Sequence, residues 1–192
     1  MTVRDIIVIG ASLGGFQALC QLLEESAGRL NAALLVVLHT SPKSPRYIVE
    51  MLSQCTRIKV SYGEQGLQIE RGHIYIAPPD HHMTVIPLGY LRLDQGPEGH
   101  MIRPAADPLF CSAAEFYGPR VIGVVLTGGG SDGTAGLRKI KASGGIAVVQ
   151  DPEEARAPQM PRSALIGDSP DFTVSLSEMA ALLVRLQGRA AL

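Results

Sequence analysis

Apolar residues follow two rhythms along this chain. Ile6-Ile7-Val8-Ile9 and Ala32–Leu38 are nearly continuous apolar runs, the pattern of strands covered on both faces. Between them, Phe16, Leu19, Cys20, Leu22 and Leu23 recur at helical spacing over Gly15–Ser26. The alternation continues, with strands predicted at Asp5–Ile9, Ala32–Leu38, Arg57–Tyr62, Arg120–Leu126, Ile146–Gln150 and Phe172–Val174. Helices are predicted at Gly15–Ser26, at Pro45–Gln54 behind an N-capping Ser44, at Asp107–Tyr117, at Thr134–Ala142 before Gly144-Gly145, and from the capping box Ser175-Leu176-Ser177-Glu178 to Gln187. In the middle the rhythm changes. Leu67–Ala77 and Met83–Asp94 alternate, with turn residues at Arg71-Gly72 and Pro87-Leu88-Gly89. This stretch reads as antiparallel hairpins on the edge of the sheet. Asp151–Pro161 reads as a mobile loop. The whole predicts an α/β fold: a doubly wound, mostly parallel sheet, helices on both faces, and an antiparallel hairpin at one edge.

The length of 192 residues suggests one domain over residues 1–192, and 46% apolar residues suffice for a sizeable core. A net charge of −1 with scattered basic residues makes nucleic acid an unexpected partner. No apolar run reaches membrane-spanning length, and Met1–Asp5 has no secretory leader, so a cytoplasmic protein without membrane insertion is expected. Cys20, Cys55 and Cys111 show neither metal nor redox spacing and read as buried free thiols in a reducing compartment.

Ligands of open α/β sheets bind beyond the carboxyl ends of the strands. Three chemically capable residues stand there: Ser12 after Asp5–Ile9, His39 after Ala32–Leu38, and Asp132 in the Gly-rich stretch Thr127–Gly133 after Arg120–Leu126. Gly10-Ala11-Ser12-Leu13-Gly14-Gly15 has serine where a dinucleotide fingerprint wants its middle glycine, which favours a nucleophile elbow over a phosphate cradle. If the three strands are neighbours, Ser12 becomes a nucleophile, His39 its base, and Asp132 the group that fixes the histidine tautomer. Backbone amides at Leu13, Gly128 and Gly129 are candidates for an oxyanion site and for the cleft wall. Each residue has a plainer reading: Ser12 as a small turn residue or phosphate ligand, His39 bonded to backbone, Asp132 as the cap of the helix at Gly133 or Thr134. His81 and His82, with Asp80 and His73, could form a metal site, though a structural turn fits their spacing better; His100 reads as solvated.

With these residues identified, the chain resembles the catalytic domain of CheB-type protein-glutamate methylesterases. The resemblance rests on Ile9–Gly15, Leu38-His39, Gly72–Met83, Arg103–Asp107, Leu126–Gly133 and Met160-Pro161-Arg162. It implies a Ser–His–Asp triad at Ser12, His39 and Asp132, with no metal or organic cofactor. The implied reaction is hydrolysis of glutamyl methyl esters on chemotaxis receptor helices, with glutamine deamidation in many members. The methyl-accepting receptors would be the protein substrate. The usual member carries an N-terminal receiver domain. None precedes the first strand here: if Met1 is the native start, the domain has no receiver of its own or is regulated by a separate one or another protein; otherwise the chain is a fragment of a longer protein. The family's threonine after the nucleophile is Leu13 here, its methionine in the late glycine loop is Gly129, and its Gln-His-Met-Pro around the base is Leu38-His39-Thr40-Ser41-Pro42. These departures bear on substrate preference, so another ester or amide hydrolase, or a non-catalytic signalling domain of the same fold, stands as the alternative.

Overall fold

The structure, a computed structural model, describes residues 3–41, 43, 46–96 and 102–188. Seven strands form one parallel sheet: β1 Ile6–Ala11, β2 Ala33–Leu38, β3 Lys59–Tyr62, β4 His73–Ile76, β7 Val121–Val125, β8 Ile146–Gln150 and β9 Phe172–Val174. Their spatial order is β3-β4-β2-β1-β7-β8-β9, so β1 is the switch point between the two winding directions. Strand β1 pairs on one side with β2, Ala11 opposite Leu38, and on the other with β7, Gly10 opposite Val125.

Being covered on both faces, β1, β2 and β7 are wholly buried along their lengths. Side chains alternate between two cores. Ile7, Ile9, Leu34 and Val36 meet α1 (Gly15–Ser26), α2 (Ile48–Cys55) and α6 (Leu176–Leu186). Val8, Leu35 and Val37 meet α3 (Ala106–Tyr117), α4 (Thr134–Ala142) and α5 (Gln159–Asp168). The capping box is formed as read: Ser175 Oγ accepts from the Glu178 amide at 3.3 Å, and Glu178 accepts from the Ser175 amide at 3.2 Å. Gly136 lets α3 and α4 approach closely, because a Cβ there would lie 2.3 Å from Cβ of Phe110.

The sheet and its two helical layers agree with the sequence reading, and four details correct it. The alternating segment 67–77 does not form an edge hairpin. Its His73–Ile76 is an interior parallel strand between β2 and β3, and all four residues are buried. The antiparallel pair is β5 (His82–Ile86) with β6 (Tyr90–Asp94), a separate two-stranded sheet packed on α3 rather than an extension of the main edge. Met160 and Pro161 belong to α5, not to a mobile loop, because Met160 fills the space beneath Gly128. Cys20 and Cys55 are joined as a disulfide, since α1 and α2 on the same face bring their Cα atoms to 5.4 Å. The thiol argument for a reducing compartment therefore falls; Cys111 is free and half-buried. Ser44, Pro45 and His100 lie outside the described residues. Among the described residues no helix is long and apolar enough to cross a membrane.

Candidate active site

Backbone pairing continues past the ends of the central strands β2, β1 and β7 and roots Ser12, His39 and the start of the loop that carries Asp132 at the carboxyl end of the sheet. The His39 amide donates to Ala11 O at 2.9 Å, the Ser12 amide to Thr127 O at 3.0 Å, and the Leu126 amide to Gly10 O at 3.0 Å. Ser12 and His39 thus sit on adjacent strand extensions, with the 127–133 loop on the other side of Ser12.

The Ser12 turn is held tightly. Gly14 takes the left-handed φ of 79°, which glycine adopts without steric cost, and the Gly15 amide closes the turn on Ser12 O at 2.8 Å. Thr127 Oγ donates to Leu13 O at 3.0 Å and accepts from the Ala157 amide at 2.8 Å, so it ties the turn to the segment after β8. Gln150 Oε1 in turn accepts from the Thr127 amide at 2.8 Å.

His39 Nε2 and Asp132 Oδ2 are 2.6 Å apart, with side chains 7% and 17% exposed. Asp132 makes three further bonds: Oδ2 with the Ala106 amide at 2.6 Å, and Oδ1 with the Asp107 and Gly133 amides, each at 3.0 Å. Four donors thus engage a carboxylate with about four acceptor sites. Burial raises the carboxyl's pKa. The His39 bond and the Ala106 and Asp107 amides outweigh it, leaving the pKa below the ordinary value. The aspartate also caps a helix, but chiefly α3 rather than the α4 that follows it. The sequence shows a following helix directly, whereas the packing of α3 against this loop is a tertiary fact.

Asp132 and His39 line a cleft of about 290 Å³ with Ile102, Ala105, Asp107 and the Gly129–Ser131 backbone. Ser12 adjoins this group through backbone bonds, its own amide on Thr127 O and the His39 amide on Ala11 O. Among the described residues no hydrogen bond joins its hydroxyl to His39. The Gly128 amide is taken by Ala157 O at 2.8 Å, so it is not a free donor. Gly128 instead provides room, because a Cβ there would lie 2.8 Å from the Ser12 Cβ. The amides of Leu13 and Gly129 make no hydrogen bond among the described residues. Over Gly129 lies Gln159, whose Oε1 accepts from the Gly130 amide at 3.3 Å.

The other histidines go elsewhere. His73 bonds Ser61 Oγ at 2.7 Å and stacks on Tyr75, His81 donates to Pro79 O at 3.1 Å, and His82 Nδ1 accepts from the Ala105 amide at 3.2 Å. Asp107, Thr127 and Gln159 are neighbours of the site that sequence reasoning missed. An aspartate in a first helical turn and a threonine after a strand are too ordinary to stand out.

A model of the CheB methylesterase family matches residues 7–183. A Leptospira interrogans protein, provisionally named protein-glutamate methylesterase/protein-glutamine glutaminase, is 37% identical over 182 residues, covering 95% of this chain and 94% of its own length. The protein of that name from Pyrococcus abyssi is 36% identical over 95% of this chain, and protein-glutamate methylesterase FrzG of Myxococcus xanthus 36% over 94%. This chain spans about half of both, 50% and 54%. The crystal structure of the Thermotoga maritima CheB methylesterase catalytic domain superposes with a TM-score of 0.89 at 30% identity, over 96% of this chain and all of that one.

Proposed function

The chain belongs to the CheB methylesterase family, and from that premise we propose that it hydrolyses glutamyl methyl esters on chemotaxis receptor helices in the cytoplasm. Ser12 is the nucleophile, His39 the base and Asp132 the orienting acid. The observation that carries this reading is the 2.6 Å bond between His39 and an Asp132 saturated by backbone amides, beside the tight Ser12 turn.

The charged Asp132 places the histidine proton on Nε2 and leaves the Nδ1 lone pair as the base. Ser12 Oγ attacks the ester carbonyl while its proton passes to Nδ1. The tetrahedral oxyanion takes hydrogen bonds from the Leu13 and Gly129 amides. Collapse breaks the acyl–oxygen bond, and the proton on Nδ1 goes to the departing methoxide, releasing methanol. Water then adds to the acyl-serine, its proton again taken by Nδ1, and the second collapse returns Ser12 and a glutamate carboxylic acid that ionises. A glutamine side chain follows the same course with ammonia as leaving group, in keeping with the glutaminase activity in the relatives' names.

Leu13 and Ile102, 60% and 59% exposed beside Ser12 and at the cleft wall, suit the aliphatic surface of a helix better than a small polar metabolite. The test is methanol release from a methylated receptor: wild type turns it over, and Ser12→Ala falls at least about 10³-fold with unchanged thermal stability. Full activity in the variant rejects the assignment.

A further inference from the structure

Neither helix beside the site caps its own N-terminus. The N-caps of α3 and α4, Ala105 and Gly133, offer no side-chain acceptor. Each helix borrows a carboxylate from the other's segment. Asp132, just before α4, accepts the Ala106 and Asp107 amides of α3. Asp107, in the first turn of α3, accepts the Gly136 amide of α4 at 2.7 Å through Oδ1. The two acids thus form a crossed pair of caps.

We propose that Asp107 is a positioning residue for the Asp132–His39 pair. Its carboxylate locks the first turn of α4 to that of α3, and its amide is one of the bonds that aim Asp132. The proposal rests on the functional reading of that pair given above.

The arrangement opposes its own stability, which a purely structural cap would not do. Burial, above all, raises the Asp107 pKa, and the Asp132 charge adds to it, against the Gly136 and Gly133 amides and the charge of Arg138. Asp107 also lines the same cleft as His39. The other titratable groups facing the two acids are Cys111 on α3, whose thiol feels the Asp107 charge, and His82 on β5, which feels Asp132. A half-buried carboxylate whose pKa is raised, beside a site, fits a functional role.

Two variants separate the parts of this role. Asp107→Asn keeps an oxygen for the Gly136 amide and removes the charge; Asp107→Ala removes both. In proton NMR at pH 7, the hydrogen-bonded Nε2–H of His39, assigned by its loss in His39→Gln, is expected far downfield in the wild type and in Asp107→Asn, and broadened or lost in Asp107→Ala. In ester kinetics, Asp107→Ala lowers kcat about 10- to 100-fold with KM unchanged. Asp107→Asn is as stable as wild type or more so at pH 7, and it loses less of kcat than Asp107→Ala does. An unaltered Nε2–H signal in Asp107→Ala overturns the proposal. So does a loss of kcat in Asp107→Asn as large as that in Asp107→Ala. Failure of the wild type to release methanol rejects the functional reading instead, and the NMR comparison still decides the role of Asp107.

Discussion

His39 and Asp132 stand 93 positions apart in the chain and 2.6 Å apart in the fold. The approach is made by the sheet: β2 and β7 flank β1, and the residues after them converge over its end. The bond requires a proton on Nε2 of the histidine, and that requirement yields a sharp expectation.

Asp132→Asn is nearly isosteric, but its amide N–H donates to Nε2. The proton then sits on Nδ1, where the lone pair is needed. Methanol release should fall by about 10⁴-fold in kcat with little change in KM. A steady-state comparison on the methylated receptor checks this, and a drop under tenfold would show that Asp132 does not set the tautomer.

The cleft rim gives a prediction about binding rather than chemistry. Leu13→Ser removes an exposed aliphatic side chain beside the nucleophile while keeping its backbone amide. KM for a receptor-derived helix should rise about 5- to 30-fold, since a single apolar contact contributes roughly 1–2 kcal/mol, with kcat held within about twofold. A small soluble glutamyl methyl ester should not distinguish the variant from wild type.

Acid should unfold the protein partly through two carboxylates. Burial raises both; for Asp5 the bonds and charges of Arg120 and Arg71 prevail, and for Asp132 the His39 and amide bonds do, so both pKa values lie below the ordinary carboxylate range. A depressed folded-state pKa gives stability that is present above the unfolded value near 3.8 and lost as pH falls through the lower folded value. Denaturant midpoints measured from pH 6 to pH 2 should fall most steeply below pH 4. Asp132→Asn should flatten that fall.

The Cys20–Cys55 bridge closes a loop 35 residues long that contains all of β2 and His39. Loop-closure entropy puts its contribution at about 3–4 kcal/mol. Cys20→Ser should lower stability by up to that amount under oxidising conditions and match the reduced wild type. Urea titrations with and without dithiothreitol measure both.

The sequence discloses what repeats locally. The buried runs of β1, β2 and β7 identify themselves by their unbroken apolar residues, and the strand-end positions of Ser12, His39 and Asp132 follow from them. What it conceals is lateral. His73–Ile76 alternates like an edge strand yet lies inside the sheet, because Tyr75 and His73 find partners in Gln68 O and Ser61. The Gly128 amide looks free in a glycine loop but is taken by Ala157, 29 positions later. The crossed caps of Asp107 and Asp132 arise only when α3 and α4 pack together.

The central place of β1 also governs when the site can come into being. The strand is made before either of its neighbours, and one of its flanks stays open until Val121–Val125 arrives to pair with Ile6–Gly10. A nascent chain that has emerged only as far as the β5–β6 hairpin already carries the serine and the histidine, but it has no aspartate and no wall beside the turn. On the proposed reading, activity therefore waits for β7 and the loop that follows it, and a product ending before β7 lacks the triad's aspartate while displaying an unpaired apolar strand edge, the kind of surface that chaperones and aggregation both recognise.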